Sequence, residues 1–320
     1  MFLHKDESIF RSIVREIRDE KHIDEAIIEK DYYVTLFLKH LSRVEPLLIF
    51  KGGTCLSKCY KLIKRFSEDI DINLESVRSL TQSRRKMLRD HIVETTAELG
   101  LKHINPEAIK SGRDYNNYHI EYPTMFSRTI LKQYLQVEAV FRIETFPTQK
   151  MNAVSLIYDY LKANGHDNII KQYELEPFEV RVQTLERTFV DKVFALGTYY
   201  INDRVPTHSR HLYDLYKMFP HIRIDSELLK LFDMVRYAWK NRMGSHDTSS
   251  AEDFEDLHSL LHEVIDKNIY KDDYKNITVP LLYENVSYAD TIETLEKIIV
   301  SLEKVVQEQE NELRNKTNIK

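Results

Sequence analysis

The sequence predicts an α+β fold in which the strands lie in the first 184 residues and the rest of the chain is helical. Before residue 184, apolar residues repeat at intervals of two in several short segments, which is typical of strands with one buried face. After residue 185, they recur at intervals of three and four, as in amphipathic helices. The chain has 320 residues, more than one domain usually contains. We therefore expect two domains, at residues 1–184 and 185–320.

The composition excludes several classes of protein. Hydrophobic residues make up 42% of the chain and charged residues 30%, which argues against a disordered or low-complexity protein. The apolar runs are shorter than the roughly 20 residues of a transmembrane helix, and the N-terminal residues are too charged for a signal peptide. We therefore expect a cytoplasmic protein. Two cysteines, Cys55 and Cys59, cannot make a disulfide framework and are interpreted as packing residues.

Two helices are predicted at the N-terminus, at residues 10–17 and 27–41, where apolar residues recur at helical spacing. Asp24 suits the N-cap of the second helix. Leu47–Phe50 is then a short apolar run before a glycine pair, the pattern of a buried strand that enters a tight turn. We expect a basic helix after the turn, with apolar positions as far as Ile63.

Strands predominate in the middle of the chain. Ile70, Ile72 and Leu74 alternate with polar residues, which indicates a strand with one buried face. A helix at residues 79–99 follows it. The same kinds of pattern predict strands at residues 118–122, 135–144 and 178–183, with a helix at 151–163 before the last of them.

Further helices are predicted at residues 185–200, 208–219 and 288–306. In the last of these, apolar residues alternate at spacings of four and three, which suits packing against another helix. We expect this seam to pack within its own domain rather than to form a dimer, because it ends near Gln309.

Charge is distributed unevenly along the chain. The formal net charge is −5 at pH 7, but residues 51–89 contain ten Lys and Arg against four Asp and Glu. Residues 252–320 contain sixteen acidic residues against eight basic ones. The basic stretch is the candidate surface for a phosphate-bearing ligand, and solvated helix faces are the alternative.

The glycine pair Gly52-Gly53 is a candidate phosphate site. The chain has only 7 glycines, and two of them are adjacent here, followed by Thr54. Glycine tolerates positive φ and has no Cβ, so backbone N–H groups and the Thr54 hydroxyl can approach phosphate oxygens. An ordinary strand-to-helix turn is the alternative.

The residues Ser67, Asp69 and Asp71 form a candidate metal site. Alternate residues of a strand project from the same face, about 7 Å apart, so the two carboxylates can share divalent cations. Mg²⁺ is commonly held by one or two carboxylates together with substrate phosphates, and paired metals suit phosphoryl displacement. For this pattern alone, a solvent-facing acidic strand is the alternative. The combination of the pattern with the glycine turn favours a catalytic metal site.

These segments resemble the nucleotidyltransferases, specifically the AbiEii/AbiGii toxin family of bacterial type IV toxin–antitoxin systems. The most specific resemblance lies in Lys51–Thr54 and Arg65–Asp71. Residues 29–34, 185–192 and 210–215 are similar to other motifs of the family. The resemblance implies a nucleotidyltransferase fold, with a mixed sheet flanked by helices and then a helical C-terminal portion.

The resemblance also implies a Mg²⁺-dependent transfer of a nucleoside monophosphate from an NTP, with Mn²⁺ as the alternative ion and pyrophosphate as the product. By position, the implied catalytic residues are Asp69, Asp71, Lys192 and Asp214, of which Asp69 and Asp71 hold the metal. The implied nucleotide-binding residues are Lys51, Gly52, Gly53, Thr54, Ser67 and Lys192. Family members have been linked to tRNA acceptor ends, so RNA is the expected acceptor. The expected partner is an AbiEi-type antitoxin, encoded nearby, that forms no stable complex.

Three of the candidate site residues have structural alternatives. Lys192 lies at the edge of an apolar helix stripe, where a lysine usually extends to water. Asp214 follows Arg210 by one helical turn, which suits a plain ion pair. Glu138, on the polar face of its strand, is a candidate third metal ligand or a partner of Arg142.

Two other functions fit the same residues. One is a nucleotide-binding module without turnover, which acts through GTP occupancy or a protein partner. The other is metal-dependent phosphodiester hydrolysis, because paired carboxylates also serve nucleases.

Overall fold

A computed structural model describes residues 1–75, 80–110, 112–126, 131–141, 143–240 and 254–317. The chain divides into two compact units. The first comprises residues 1–61 and 66–183, and the second comprises residues 62–65 and 184–320.

The first unit contains a mixed sheet of seven strands. The strands are β1 (Leu48–Lys51), β2 (Asp69–Leu74), β3 (Lys102–His103), β4 (Tyr115–Glu121), β5 (Tyr134–Val140), β6 (Thr148–Ala153) and β7 (Phe178–Gln183). Their order is β3-β4-β5-β2-β1-β7-β6. β2 is parallel to β5 and β1 is parallel to β7, whereas the other neighbours are antiparallel. The predicted α+β fold with a mixed sheet is confirmed.

Six helices of the first unit accompany the sheet. They are α1 (Glu7–Lys21), α2 (Glu25–Val44), α3 (Gly52–Lys58), α4 (Gln82–Glu98), α5 (Leu156–Ala163) and α6 (Asp167–Gln172). α2 begins at the predicted cap, where the Asp24 carboxylate accepts the Ala26 N–H at 3.0 Å. Its side chains Tyr33, Phe37 and Leu38 are fully buried. This burial, more than intrinsic helix propensity, stabilises the helix.

The central strand β2 has one fully buried face. Ile70 and Ile72 have no exposed surface, whereas Asp69 and Asp71 on the other face are half-buried. Burial of two isoleucine side chains contributes about 1.5–3 kcal/mol each. The apolar face therefore fixes the strand in the core and the direction in which its two carboxylates project.

Two elements differ from the sequence-based predictions. Residues 148–153 form β6, paired with β7 along its whole length, before the helix α5 begins at Leu156. Of the six β6 residues only Ala153 is buried, so backbone pairing holds a strand that has no apolar alternation. α3 ends at Lys58 rather than near Ile63, and Lys61 has a positive φ of 55°, which a continuing helix does not allow.

The second unit is helical. Its helices are α7 (Leu185–Ile201), α8 (Arg210–Met218), α9 (Ser226–Lys240), α10 (Phe254–Asp266), α11 (Lys271–Asp273) and α12 (Tyr288–Thr317). The described residues after 185 form no strand, and Leu282 makes an isolated bridge to Arg65. In the described parts of the chain, no helix is both long enough and apolar enough to cross a membrane.

Candidate active site

The glycine turn and β2 meet at Gly52 and Asp71. β1 and β2 are antiparallel neighbours, with Lys51 opposite Asp71. Gly52 has a φ of +76°, and a Cβ built on it would lie 2.0 Å from Oδ2 of Asp71 and 2.8 Å from its Cγ. A side chain at this position would have to displace the Asp71 carboxylate, so the site favours glycine here. The turn thereby places open backbone directly against a carboxylate.

Three carboxylates share one face of the sheet beside this turn. Asp69 and Asp71 are two residues apart on β2 and therefore project from the same face. In the parallel register of β2 and β5, Glu138 is the partner of Asp71, and neighbouring strands lie about 4.8 Å apart. Like charges this close repel one another unless a cation offsets them.

One oxygen of this carboxylate cluster (Asp69, Asp71 and Glu138) has no protein partner. The Oδ1 atom of Asp69 is buried, and within the described residues it accepts no hydrogen bond. A buried carboxylate oxygen without a partner costs free energy. A hard divalent cation would supply that partner, and oxygen ligands are the kind that Mg²⁺ and Mn²⁺ prefer. The donor set therefore fits the ion that the sequence implies.

Neighbouring polar side chains hold Glu138 in place. Its Oε1 atom accepts hydrogen bonds from Nε2 of Gln136 at 2.5 Å and from Nδ2 of Asn117 at 3.3 Å. Burial, together with the charges of Glu138 and Asp71, raises the pKa of Tyr115 to about 12. The Tyr115 hydroxyl thus stays protonated in the field of the cluster. Arg142, the alternative partner of Glu138, lies outside the described residues.

Two hydroxyl groups lie beside the glycine turn. Oγ1 of Thr54 donates to Oγ of Ser67 at 3.0 Å, and Thr54 is buried while Ser67 is half-buried. Because Thr54 donates in this pair, the Ser67 hydrogen can donate to another acceptor. Ser67 is therefore the accessible hydroxyl of this pair, and Thr54 supports it from the buried side.

Two lysines border the cluster, and the sequence-based reasoning gave only one of them a role. The ammonium of Lys51, on the same face as Asp71, makes no hydrogen bond or ion pair with any described residue. Lys30 is fully buried, pairs with Glu68 and donates to the Lys132 carbonyl at 2.6 Å. Burial lowers the pKa of Lys30, against the opposing charges of Glu68 and Asp69. The sequence feature that could have identified Lys30 is the charged segment 29–31 inside an apolar helix.

Most of the described cations in the basic stretch at residues 51–89 are buried or paired with a carboxylate. Lys58 is buried and donates to the Asp31 carboxylate at 2.5 Å. Arg65 is buried in the second unit. Four other cations each have an acidic partner: Lys61 with Asp159, Arg84 with Glu45, Arg85 with Asp114 and Arg89 with Asp90. Most of these partners are distant in sequence, so the local charge count did not reveal them.

The structure places Lys192 and Asp214 together in the second unit. Asp214 is fully buried; Arg65 donates to both of its oxygens, at 2.7 and 2.8 Å, and Lys192 donates to Oδ2 at 2.5 Å. Burial alone would raise the pKa of Asp214, but Arg65 and Lys192 hold it below its ordinary value. Lys192 does not extend to water, because it is also buried.

The half-buried His211 lies beside this buried group. Its Nδ1 atom lies 3.4 Å from Nζ of Lys192. Burial, reinforced by the charge of Lys192, lowers the pKa of His211 well below its ordinary value, so the imidazole is neutral at pH 7. The bidentate partner of Asp214 is Arg65, 149 residues away in sequence, and the helical spacing pointed instead to Arg210.

Comparison with known proteins identifies one family. A model of the family described as nucleotidyl transferase AbiEii toxin, type IV TA system, matches residues 36–297. The match includes the glycine turn, the carboxylate cluster, Lys192 and Asp214, and it begins after Lys30. No curated protein matches the chain.

Proposed function

Because this chain belongs to the AbiEii family of nucleotidyl transferase toxins from type IV toxin–antitoxin systems, we propose that it transfers a nucleoside monophosphate from an NTP to RNA. A tRNA 3′ end is the proposed acceptor. The observation that carries the proposal is the contact between Gly52 and Asp71, because it joins a turn suited to phosphate with a carboxylate suited to a metal ion.

The carboxylate cluster would hold the metal ion that accompanies the triphosphate. Asp69 and Asp71 are the principal ligands, and Glu138 is the third. When bound, Mg²⁺ would neutralise negative charge on the phosphates and on the departing pyrophosphate. The fixed position of β2 keeps the carboxylates in place during the reaction, so that little reorganisation is needed.

The turn and its neighbours would bind and orient the triphosphate. The backbone at Gly52-Gly53 admits phosphate oxygens where a Cβ would block them. The Ser67 hydroxyl and the Lys51 ammonium would donate to these oxygens. Lys30 would hold Glu68 and the adjacent Asp69 in position rather than contact the nucleotide.

The transfer is a substitution at the α-phosphorus. An oxygen of the acceptor hydroxyl forms a bond to this atom and releases its proton to solvent. The bond between the α-phosphorus and the oxygen that bridges to the β-phosphorus breaks, and pyrophosphate leaves. The chain contributes position and charge to this step, as is usual for phosphoryl and nucleotidyl transfer. Additional roles for Lys192 and Asp214 in this step stay predictions.

A type IV toxin–antitoxin family implies an antitoxin. We propose an AbiEi-type protein that relieves toxicity without forming a stable complex. Co-expression should then restore growth while the two proteins elute separately in size-exclusion chromatography. Co-elution as one stable complex would contradict this part of the proposal.

The transfer is tested by incubating the protein with total RNA and each labelled NTP in turn. Asp69→Asn removes a charge at nearly constant volume, so we expect it to reduce incorporation by at least about 100-fold. Circular dichroism checks that the fold is retained. Asp159→Asn is the matched control, because its partly exposed carboxylate pairs with exposed Lys61, and it should retain full incorporation.

Other outcomes distinguish the competing functions. Full incorporation by Asp69→Asn would reject the assigned site. Nucleotide binding without pyrophosphate release, for every acceptor tried, would favour a non-catalytic module. Shortened RNA would favour a nuclease.

A further inference from the structure

Two histidines and a glutamate meet between α10 and α12 in the second unit. His258 and His262 are four residues apart on α10 and lie on one face of that helix. Glu303 projects from α12. Nitrogen and carboxylate oxygen atoms of these three side chains all lie within 4.8 Å of one another. We call this group the His–Glu cluster.

The separation of the two imidazoles matches that of two ligands on one metal ion. Nε2 of His258 and Nε2 of His262 are 3.2 Å apart. In a tetrahedral site with metal–nitrogen bonds of about 2.0–2.1 Å, neighbouring ligand atoms are about 3.3 Å apart. Oε1 of Glu303 also contacts Nε2 of His258, so the third potential ligand reaches the same point.

An ordinary ion pair explains only part of this arrangement. Glu303 and His258 could pair on any helical surface. His262 is exposed, yet its Nε2 is directed at another imidazole nitrogen instead of at water. Two facing imidazole nitrogens need a shared proton or a shared metal ion between them. The rings are 4.5 Å apart at an interplanar angle of 66°, so they are not simply stacked.

The cluster rests on a packed apolar layer. Leu257 and Leu261 of α10 and Ile299 and Leu302 of α12 line the space next to His258, and all four are buried. Their packing fixes the spacing of the two helices. The ligand atoms are therefore brought together by rigid elements, as a metal site requires.

We propose that the His–Glu cluster binds Zn²⁺ or a similar borderline divalent transition metal ion. Two imidazoles and one carboxylate are typical zinc ligands, and three protein ligands leave a fourth position for water. Mg²⁺ is disfavoured because it prefers oxygen ligands. The bound ion links α12 to α10 and so stabilises the C-terminal helix. The third ligand, Glu303, lies beyond residues 36–297, which match the family.

The test uses full-length protein without a histidine tag. Asp69→Asn and Asp71→Asn are introduced together to remove the competing carboxylate cluster. Titration with Zn²⁺ alone, followed by calorimetry, should give about one ion per chain. Co²⁺ should give the visible absorption of a four-coordinate site. Saturating Zn²⁺ should raise the unfolding temperature, because a ligand that binds only the folded state stabilises it.

Matched variants show whether the cluster is the binding site. His262→Ala and Glu303→Gln should each weaken Zn²⁺ binding by at least about 100-fold, since the loss of even an outer-shell partner costs 10–100-fold. His221→Ala and Glu308→Gln, which remove exposed residues elsewhere in this unit, should leave it unchanged. The inference is overturned if Zn²⁺ does not bind, or if it binds equally well to His262→Ala and Glu303→Gln.

Discussion

Gly52 is the residue at which backbone conformation and site chemistry depend on each other most closely. Its positive φ favours glycine, and its close approach to Asp71 leaves no space for a Cβ unless that carboxylate moves. Gly100 has a similar φ of +67° but no atom within 4 Å of an added Cβ. The two positions therefore differ only in what the new methyl group would meet.

This contrast separates backbone strain from damage to the site. Alanine at either position should cost about 1 kcal/mol through the left-handed backbone. Gly52→Ala should also displace the Asp71 carboxylate and reduce nucleotidyl transfer by at least about 100-fold. Urea unfolding and labelled-NTP incorporation measure the two effects. Full activity of Gly52→Ala, or an equal loss in Gly100→Ala, would contradict this account.

Asp214 has a structural role that its charge partners reveal. Asn at this position would leave Arg65 and Lys192 buried without their shared anion. Loss of one partner of a buried ion pair costs about 3–5 kcal/mol, so we expect Asp214→Asn to destabilise the second unit by about that amount in urea unfolding. Asp233→Asn, at an exposed carboxylate that pairs with half-buried Arg236 at 3.5 Å, should cost about 1 kcal/mol or less. Similar stabilities of Asp214→Asn and Asp233→Asn would contradict the structural role of Asp214.

At the scale of elements, the charged residues at 29–31 of the buried helix α2 contact other segments of the first unit. Glu29 accepts the backbone N–H groups of Met125 and Phe126 at 2.7 and 3.2 Å. Asp31 accepts from the Lys58 ammonium and from the Leu156 N–H. Lys30 forms an ion pair with Glu68. Through these three charged residues the helix contacts four separate segments of the first unit.

Glu29 makes the stability of the first unit depend on pH. Burial raises its pKa to about 7, against the opposing effect of its two backbone hydrogen bonds. Between the unfolded value of 4.5 and about 7, the folded protein binds more protons than the unfolded chain. Stability from this group is therefore present at low pH and is lost as the pH rises through 7.

Glu29→Gln isolates this effect, because Gln stays neutral throughout the range. The stability of the wild type relative to the variant should fall between pH 5 and pH 8, by a few kcal/mol at most. Unfolding midpoints in urea at several pH values, for both proteins, measure it. A constant difference across this range would show that Glu29 does not titrate in it.

Whether the sequence predicts an element depends on which interactions stabilise that element, side-chain burial or backbone hydrogen bonds. β2 was predicted because its apolar residues Ile70 and Ile72, which are buried, alternate with the polar residues Asp69 and Asp71. β6 was wrongly predicted as the start of a helix because hydrogen bonds to β7, and not side-chain burial, hold it. The early end of α3 was missed because the left-handed backbone at Lys61 has no glycine to mark it.

At the scale of the whole molecule, the local part of the candidate site could be predicted and the long-range part could not. The glycine turn and the two aspartates lie within twenty residues, and strand periodicity places the carboxylates on one face. Lys30, Gln136 and the partner of Asp214 join their groups only through tertiary packing. Glu138 was a ligand candidate because it lies on the polar face of its strand and because the fold that the sequence resembles commonly takes a third carboxylate from a neighbouring strand. The register of β2 and β5 places it beside Asp71.

The same dependence on packing applies to charge. The chain carries a net charge of −5, and the cations of the basic stretch are largely paired or buried. We therefore expect the proposed recognition of RNA to depend on the site itself more than on a broad cationic surface. A small number of donors near the carboxylate cluster, Lys51 among them, are the candidates.

The central claim is that the carboxylate cluster and the glycine turn together hold a metal-bound triphosphate. A crystal structure of the full chain with Mn²⁺ and a non-hydrolysable NTP tests it most directly, because anomalous scattering locates the ion. We expect the ion at Asp69 and Asp71 and phosphate oxygens at the Gly52-Gly53 backbone. A triphosphate bound elsewhere, with no ion at these two aspartates, would contradict the account.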